Sequence, residues 1–496
     1  MFDPPFTDGQ YASDSIGAGA NGGFNGPKGL ATIGNALLVA DYNNNRVLRF
    51  TGPFNTPDQT YVATGLFTGL NHPVDVAVHA DGSLLVTDQG SQRVFRYIDA
   101  AIADSKNVAD GGQLFAEMLN AEPLGVACDR SGRVYVADYR NFRVLIGDPL
   151  ARRPVTSSST KPAQALLAGL YAQADRATAH VAIGQQLITY LYGDRLDPNA
   201  WNQAFLKLQQ GNYPLPKIMG GELSDLMTYP GFNPNQDALN ELIRHGQAGN
   251  IVTLVWHPDN PTQGDFSTPI ATSDLKDTIN MNTATGQNLQ AQLDLAGAVL
   301  QQFQDAGIPV LFRPFHEQNG NFFWWGDDGS SGADQRDREA AWVSMWRKMF
   351  LDLTVNKGLH NLLFVFCANQ VNYDGVTAPM AYYPGGYSTD VVSMDVYNDQ
   401  LYLAGDERGV QHYTAMVATS KPFGLSEFGQ AATGPDASQW DARTLAQRVR
   451  DSYPRTTFAI AWYSAVQGDT QYVWALPDVS HTQELLTDPL IYTQPH

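Results

Sequence analysis

Cysteine is almost absent from this sequence of 496 residues, which contains only Cys128 and Cys367. The two residues fall in different candidate domains, and Cys367 lies within an apolar run that is typical of a buried strand. Two cysteines placed in this way predict free buried thiols. They exclude the disulfide framework of a small secreted scaffold.

Positive charge and long apolar runs are also scarce. Lysine and arginine number 31 against 50 aspartates and glutamates, so the formal net charge is −19. This charge argues against nucleic acid and anionic membranes as partners. No apolar run reaches membrane-spanning length, and residues 1–6 lack the basic and apolar regions of a signal peptide, so we expect none in this chain.

Residues from about 25 to 147 contain three related segments. In each segment an apolar strand ends in an aspartate, and an Arg-Val pair follows five residues later. These residues are Asp41 with Arg46-Val47, Asp88 with Arg93-Val94, and Asp138 with Arg143-Val144. The pattern predicts one four-stranded propeller blade per segment and resembles NHL repeats.

The aspartate and arginine of each repeat have two interpretations. They could form a binding array, or each pair could tie the turn of a blade to its neighbouring strand, which is the favoured interpretation. Three blades are fewer than the four or more of a closed propeller, so residues 1–150 are predicted to form an incomplete ring. The open arc is either a remnant of a longer propeller or is completed by a second chain in a homodimer.

Residues 151–162 are rich in proline and serine and are predicted to be a linker. From residue 163 to 496, helical patterns alternate with short apolar strands, which predicts a parallel α/β fold. The predicted strand ends lie near residues 180–185, 217–222, 251–257, 309–317, 362–369, 391–397, 422–427 and 457–462. Eight strands are the number that a closed (β/α)8 TIM barrel requires.

Two helical stripes between these strands are predicted to belong to the core and not to a site. Their residues recur at helical spacing and are Leu293, Ala296, Leu300 and Phe303, and Trp342, Met345, Trp346 and Met349. One face of each helix is therefore expected to pack against the barrel.

The stretch from residue 308 to 326 carries the clearest chemical signal. An apolar run gives way to Arg313, His316 and Glu317, and a loop with four aromatic residues follows at 322–325. A His-Glu pair alone is more typical of a solvated strand end, and no second histidine follows at the spacing of a zinc protease. Four large rings on a loop are costly to expose unless they stack on a ligand such as a pyranose. The stretch therefore indicates a sugar site at the mouth of the barrel.

A glycosidase needs two carboxylates, one to protonate the leaving oxygen and one to attack the anomeric carbon or to activate water. Residues 421–429 contain the second candidate, because a short apolar run there ends in Glu427 beside Phe428 and Gly429. This signal is weak alone and becomes considerably stronger as a partner for Glu317.

These residues carry a family resemblance. The Arg-Pro-Phe-His-Glu run at 313–317, followed by an aromatic-Trp-Trp-Gly run, resembles the acid/base motif of glycoside hydrolase family 26, the β-mannanases and their relatives. Residues 251–261 resemble the Trp-His strand end of that family, residues 395–397 the strand with a tyrosine beside the nucleophile, and residues 426–429 the nucleophile segment. The similarity spans roughly residues 160–490.

The resemblance implies a retaining mechanism in which Glu317 is the acid/base and Glu427 the nucleophile. It implies neither a metal nor a cofactor. The residues with implied substrate-binding roles are His257, Trp256, Arg313, His316, Phe322, Trp325, Tyr397 and Trp462. Among these, Tyr397 is expected to donate to the nucleophile, and Trp462 to form the floor of the subsite at which attack occurs.

Two departures from the family pattern bear on the choice of polymer. Tyr463 stands where the mannanases often carry arginine, and Phe322 stands where the family commonly has tryptophan. The favoured function is endo-cleavage of β-1,4-mannan, with β-1,3-xylan and mixed-linkage β-glucan as alternatives within the family. A carbohydrate-binding or scaffold protein without turnover is the alternative from a different class. A polymeric substrate indicates extracellular action.

Overall fold

The computed structural model describes residues 23–494 with internal gaps. The residues inside this range that it does not describe are 34, 53–62, 64, 80–83, 98–112, 118–121, 130–133, 148–152, 157, 176–179, 188–200, 229–233, 265, 371–377, 387, 402–409, 432–434 and 468–469. The chain divides into two compact units, Met1–Ala151 and Arg152–His496. Each unit has hydrophobic clusters of its own.

The first unit contains three small antiparallel sheets, one for each predicted repeat. Their strands are β1 (Pro27–Ile33), β2 (Ala36–Asp41), β3 (Arg46–Thr51) and β4 (Gly65–Phe67); β5 (Pro73–Val78), β6 (Leu84–Asp88), β7 (Arg93–Tyr97) and β8 (Gln113–Glu117); and β9 (Pro123–Cys128), β10 (Val134–Asp138) and β11 (Arg143–Gly147). In each sheet, neighbours in sequence are neighbours in space. The prediction of an N-terminal all-β segment is confirmed.

The aspartate that ends the second strand of each repeat is a structural residue. Asp41 accepts from the main-chain amide of Asn25 at 2.7 Å through one oxygen and from Arg46 Nε at 2.8 Å through the other. In the third repeat, Arg143 Nε donates to Asp138 at 2.9 Å. These bonds fix the turn between two strands, so the structural interpretation of the Asp-Arg pairs is confirmed in both repeats.

The second unit is a closed barrel of eight parallel strands. The strands are β12 (Val181–Gln186), β13 (Ile218–Glu222), β14 (Ile251–Trp256), β15 (Val310–Pro314), β16 (Leu362–Asn369), β17 (Val391–Tyr397), β18 (Phe423–Gly429) and β19 (Thr456–Ala461). Strand β12 pairs with both β13 and β19, which closes the ring. The predicted TIM barrel is confirmed, and each strand lies at its predicted place in the sequence.

Helices surround the barrel, and three short strands lie outside the ring. The helices are α1 (Lys161–Ala174), α2 (Gln203–Gln210), α3 (Gln236–Gln247), α4 (Thr272–Asp277), α5 (Ala284–Asp305), α6 (Gly332–Leu351), α7 (Val410–Val417), α8 (Thr444–Asp451) and α9 (Thr482–Leu486). The short strands are β20 (Ala465–Gln467), β21 (Thr470–Tyr472) and β22 (Ile491–Tyr492). Within the described part of the chain, no helix has the length and apolar character needed to span a membrane.

The two predicted helical stripes are buried, as expected. The four residues of α5 and the four of α6 are fully buried in the main hydrophobic cluster. Trp342 and Trp346 stack with ring centroids 5.4 Å apart, and both meet Phe366 of β16 edge-on. This packing holds the helices on the strands and thereby fixes where the strands end.

The segment predicted to be a linker contains residues that bind the barrel. The Val155 amide donates to Asp390 at 2.7 Å, and the Thr160 amide donates to the His360 carbonyl at 2.8 Å. The Thr160 hydroxyl also caps α1 by accepting from the Ala163 amide. These contacts hold Val155 and Thr160 on the barrel.

Candidate active site

The turn after β15 has an unusual backbone. Phe315 has φ of 47° and Glu317 has φ of 53°, both in the left-handed region that residues with a Cβ rarely adopt. The Glu317 amide donates to the Cys367 carbonyl at 2.9 Å. Asn319 binds both the amide and the carbonyl of Asn369, at 2.7 and 3.0 Å. The end of β16 therefore holds this strained turn in place.

The hydrogen-bond partner of the Glu317 carboxyl group is a neutral amide and not a cation. Glu317 is buried, and its Oε1 accepts a hydrogen bond from Asn369 Nδ2. Burial raises the pKa of Glu317 well above its usual range, and the nearby Asp395 and Glu427 carboxylates raise it further. The surroundings of Glu317 therefore favour the protonated acid.

Glu427 lies in β18, beside groups that stabilise its charge. Arg313 bridges two carboxylates, since its Nη2 donates to Glu427 Oε1 at 2.5 Å and its Nη1 donates to Asp395 Oδ2 at 2.7 Å. The Tyr397 hydroxyl donates to Glu427 Oε2 at 2.5 Å. Both oxygens of Glu427 thus have a donor, and one donor is a full positive charge.

The protonation states of the two donors follow from their surroundings. Burial opposes the charged form of Arg313, but the Asp395 and Glu427 carboxylates outweigh burial and raise the pKa of Arg313 well above its usual range. Burial and the Glu427 charge raise the pKa of the Tyr397 hydroxyl well above its usual range. Arg313 therefore stays a cation, and Tyr397 keeps the proton that it donates.

Two histidines meet beside the carboxylates. The rings of His257 and His316 contact edge to face with centroids 4.4 Å apart, and His316 Nε2 lies 3.9 Å from Glu427 Oε1. His257 Nδ1 lies 2.7 Å from Glu222 Oε2, which fixes that ring. Burial lowers the pKa of His316 well below its usual range, and the positive charge of Arg313 acts in the same direction. His316 is therefore neutral.

The four aromatic residues of the loop divide into two pairs. Phe322 and Phe323 are half-buried, whereas Trp324 and Trp325 are fully buried. Trp324 Nε1 donates to the Pro258 carbonyl at 2.7 Å, and Trp325 Nε1 donates to the His316 carbonyl at 2.8 Å. Neither tryptophan therefore presents an exposed ring face, and the substrate-binding role of Trp325 stays a prediction. Their indole N–H groups and ring faces hold the loop together.

Trp325 packs against two rings of the site. Its ring stacks on Phe323 with centroids 4.5 Å apart and lies 6.1 Å from the His316 ring. Phe323, in turn, meets His257 at 5.3 Å. Phe322 and Phe323 are therefore the rings of this loop that remain accessible to a sugar.

Trp256 and Trp462, the tryptophans expected at strand ends, lie in different surroundings. Trp256 is fully buried in the main core against the Phe312 and Phe315 rings, so it is a packing residue and the substrate-binding assignment is not carried further. Trp462 lies 6.5 Å from the His257 ring and contacts Tyr463. Trp462 thus belongs to the group around the carboxylates.

A metal ion is a further chemical possibility for this cluster. Ligand atoms of His316, Glu317 and Asp395 all lie within 4.8 Å of one another. The Arg313 guanidinium, 2.7 Å from Asp395, places a positive charge beside the same atoms. This charge disfavours a second cation, so the cluster is better suited to acid-base chemistry.

Sequence reasoning missed several residues of the site. Asn369, Cys367 and Glu222 each lie at or near the carboxyl end of a barrel strand, which is the signal that could have found them. The Cys367 thiol donates to Asp395 Oδ1 at 3.1 Å, and Asn369 binds the acid directly. Trp474, 4.9 Å from the Tyr397 ring, follows the β20–β21 hairpin and has no such signal.

Together, the fold and the site define a TIM barrel in which two of the buried carboxylates, Glu317 and Glu427, lie at the carboxyl ends of the fourth and seventh strands. One carboxylate is ion-paired and the other favours its proton, which suits glycoside hydrolysis. The model of glycosyl hydrolase family 26 matches residues 221–494, and an NHL repeat model matches residues 120–146. The chain belongs to glycosyl hydrolase family 26, because the match covers more than half of it.

Several proteins of known activity are similar to the chain. The chain is 34% identical over 225 residues to mannan endo-1,4-beta-mannosidase A and B of Caldalkalibacillus mannanilyticus, covering 45% of this chain and 42% of that protein. It is 31% identical over 227 residues to mannan endo-1,4-beta-mannosidase of Bacillus subtilis, covering 45% and 58%. The chain therefore spans about half the length of these relatives. The structure of Bacillus subtilis mannanase man26 matches with a TM-score of 0.58 and 23% identity, over 69% of this chain and 95% of that one.

Proposed function

We propose that the protein is a retaining, endo-acting glycoside hydrolase whose substrate is β-1,4-mannan. The observation that carries the proposal is the difference between two buried carboxylates. Glu427 is bound by the Arg313 cation and the Tyr397 hydroxyl, whereas Glu317 has the Asn369 amide and a raised pKa. A charged nucleophile beside a protonated acid is the division of roles that retention requires.

In the first step, a Glu427 oxygen bonds to the anomeric carbon as the glycosidic bond breaks, and Glu317 gives its proton to the leaving oxygen. In the second step, Glu317 takes a proton from water, which displaces Glu427 from the sugar. Arg313 and Tyr397 hold Glu427 in the orientation for attack. The two carboxyl groups are predicted to lie about 5–5.5 Å apart, the separation that retention needs.

The hydrogen bond from Asn369 is proposed to determine which oxygen of Glu317 carries the proton. The Asn369 side-chain amide donates to Oε1, so that oxygen is already an acceptor. The acidic proton is then left to Oε2, which is free to meet the leaving oxygen. The Asn319–Asn369 contacts keep this geometry fixed, since they connect the turn that bears Glu317 to β16.

The remaining site residues are proposed to bind the sugar. His316 Nδ1 is buried and has no hydrogen-bond partner among the described residues, so a sugar hydroxyl would satisfy it. His257 is oriented by Glu222 for the same purpose, and the half-buried Phe322 offers a ring face for stacking. The role of Trp462 as the floor of the subsite at which attack occurs stays a prediction. Since the substrate is a polymer, we expect the protein to act outside the cell.

The choice of polymer rests on the relatives that are mannan endo-1,4-beta-mannosidases. One relative, endoglucanase H of Acetivibrio thermocellus, is 25% identical over 170 residues, and its name favours a β-glucan as the second class of substrate. Tyr463, at the position where mannanases often carry arginine, is buried beside Trp462. The guanidinium contact to the neighbouring sugar is therefore missing, which weakens that subsite.

Release of reducing ends from mannan, β-1,3-xylan and mixed-linkage β-glucan tests the proposal. We expect the highest rate on mannan and a product of retained anomeric configuration by NMR. Higher turnover on β-glucan would replace mannan as the substrate, and inversion would contradict the role of Glu427. Binding of all three without turnover would show a carbohydrate-binding protein. The homodimer through the N-terminal repeats stays a separate proposal that does not enter this activity.

A further inference from the structure

The same interface joins successive N-terminal repeats twice. Val47 of the first repeat packs in one hydrophobic cluster with Val76 of the second. Val94 of the second repeat packs in the next cluster with Val126 of the third. We name the side that bears Val47, Val94 or Val144 the trailing face of its repeat. The side that bears Leu30, Val76 or Val126 is the leading face.

Polar contacts repeat along the same direction. The Tyr42 hydroxyl of the first repeat donates to Gln89 of the second at 2.8 Å, and Gln89 Nε2 donates to Glu122 of the third at 2.6 Å. Tyr42 and Gln89 each follow the aspartate that ends the second strand of their repeat. Each trailing face is therefore built to bind the leading face of a following repeat.

Within the described residues, one apolar position on each outer face of the array lacks this cover. Val144, on the trailing face of the third repeat, is 61% exposed, whereas Val47 and Val94 are fully buried. Leu30, on the leading face of the first repeat, is 62% exposed, whereas Val76 and Val126 are buried. The same two positions thus change from core to surface only at the ends of the array.

The side chains of the two outer faces also differ from those of the inner faces: one outer face has larger side chains and the other has a smaller one. Phe142, which is 92% exposed, stands where the first two repeats have Asn45 and Gln92, and its ring lies 6.4 Å from that of Tyr139. The trailing face of the third repeat therefore carries larger apolar groups than the inner trailing faces. On the opposite face, Gly26 stands where the second repeat has His72, whose ring contacts Tyr42 at 4.7 Å. A missing side chain on one outer face thus matches extra rings on the other.

We propose that the trailing face of the third repeat binds the leading face of the first repeat of a second copy of this chain. Two such contacts, related by a twofold axis, would complete a ring of six repeats. A ring of six lies within the range of four to eight blades in which propellers close. The contact buries Val144, Phe142 and Leu30, which would otherwise leave an apolar patch in water. The protein partner is therefore a second copy of the chain.

Sedimentation of the full chain over a range of concentrations tests this inference. We expect twice the mass of one chain, and we expect Val144→Asp and Leu30→Asp each to weaken the association at least 100-fold. Both positions are exposed in one chain, so both variants should fold, which circular dichroism checks. Val355→Asp is the matched control, since Val355 is 69% exposed on the barrel and should leave association unchanged.

A compensating pair of charges tests whether the trailing face of the third repeat contacts the leading face of the first repeat in the dimer. The double variant Val144→Asp with Leu30→Lys places opposite charges on the two faces at each contact of the ring. We expect it to recover at least tenfold of the association lost in Val144→Asp. A monomeric full chain would overturn the proposal, as would a dimer that Val144→Asp leaves intact or that Leu30→Lys does not restore.

Discussion

Carboxylates end strands in both units of the chain, and the two units use them differently. In the repeats, Asp41 accepts from a main-chain amide and from Arg46, with Asn44 as a third donor. In the barrel, Glu427 is bound by side chains from two other strands, and Glu317 is bound by the side chain of Asn369. The first arrangement connects neighbouring parts of one sheet, whereas the second collects groups from distant parts of the sequence.

This difference separates a structural carboxylate from a reactive one. Asp41 is fully buried, and all three of its donors come from the turns of its own repeat, so its carboxylate serves to hold that repeat together. Glu317 has one oxygen without a partner among the described side chains and a pKa raised by burial, so it can still exchange a proton. The position of an acid at a strand end therefore does not by itself predict chemistry, and the oxygen that is left for a substrate must also be considered.

The largest effect is expected from Glu427→Ala. Loss of the nucleophile should lower kcat on every substrate by on the order of 10⁵-fold or more, since no covalent intermediate can form. Added azide should restore turnover of an activated aryl glycoside and give a glycosyl azide of inverted anomeric configuration. Glu484→Ala, at an exposed glutamate of the same unit, is the control and should keep full activity. An azide of retained configuration from Glu427→Ala would contradict the assignment.

Glu317→Ala should have a smaller effect that depends on the leaving group. Turnover of polysaccharide should fall by about 10²–10⁴-fold, because the leaving oxygen must be protonated. Bond cleavage in an aryl glycoside with an acidic phenol should be largely preserved, since that phenolate leaves without a proton. Steady-state and burst kinetics on both substrates measure the difference. Equal losses on the two substrates would mean that Glu317 is not the acid.

Asn369→Ala keeps Glu317 and tests how the hydrogen bond from Asn369 affects its pKa. The Asn369 amide stabilises the charged form of Glu317, so its removal should raise the pKa of Glu317 further. A hydrogen bond to a charged group contributes about 1.5–3 kcal/mol, which corresponds to about one to two units of pKa. The acid is active when protonated, so the alkaline limb of the pH–kcat profile should move to higher pH by about that amount. We also expect an activity loss of about tenfold from the freed side chain.

Asn361→Ala is the matched control for this variant. Asn361 is also buried and precedes the same strand, but its side-chain amide donates to the Ile308 carbonyl at 2.9 Å, away from Glu317. This variant should lose stability and keep the wild-type pH profile. If both variants shift the alkaline limb equally, Asn369 has only a structural role.

Much of the fold and the two central carboxylates could be predicted from the sequence. Short apolar runs at regular intervals mark the strands, and Glu317 and Glu427 follow such runs directly. The orientation of Trp256, Trp324 and Trp325 could not be predicted, because a fully buried strand or turn has no polar face to set its alternation. The left-handed backbone at Phe315 and Glu317 could not be predicted either, because neither residue is glycine and the strain is held by β16, about 50 residues later.

Asp41→Ala addresses the structural carboxylates of the repeats. It should leave the Asn25 amide and Arg46 Nε without their acceptor and cost the N-terminal unit about 2 kcal/mol of its free energy of unfolding. Activity of the barrel should not change. Denaturant unfolding with a probe in the first unit, together with reducing-end release, measures the two effects separately. A loss of activity as large as the loss of stability would mean that the repeats serve the catalytic unit.

The smallest effect on activity is expected when the N-terminal unit is removed. A chain that begins at Arg153 keeps the Val155 amide on Asp390 and the Thr160 cap of α1, so we expect full activity and an unchanged melting temperature of the barrel. A chain that begins at Lys161 loses both contacts. Burial raises the pKa of Asp390 to about 6, so its carboxylate depends on donors such as Val155, and the loss of these contacts should lower the barrel's melting temperature. Activity of the shorter chain below its melting temperature should still match that of the full chain.

Reducing-end release from the Arg153 chain and from the full chain measures this. If the Arg153 chain is inactive while the full chain is active, the catalytic unit extends into the repeats.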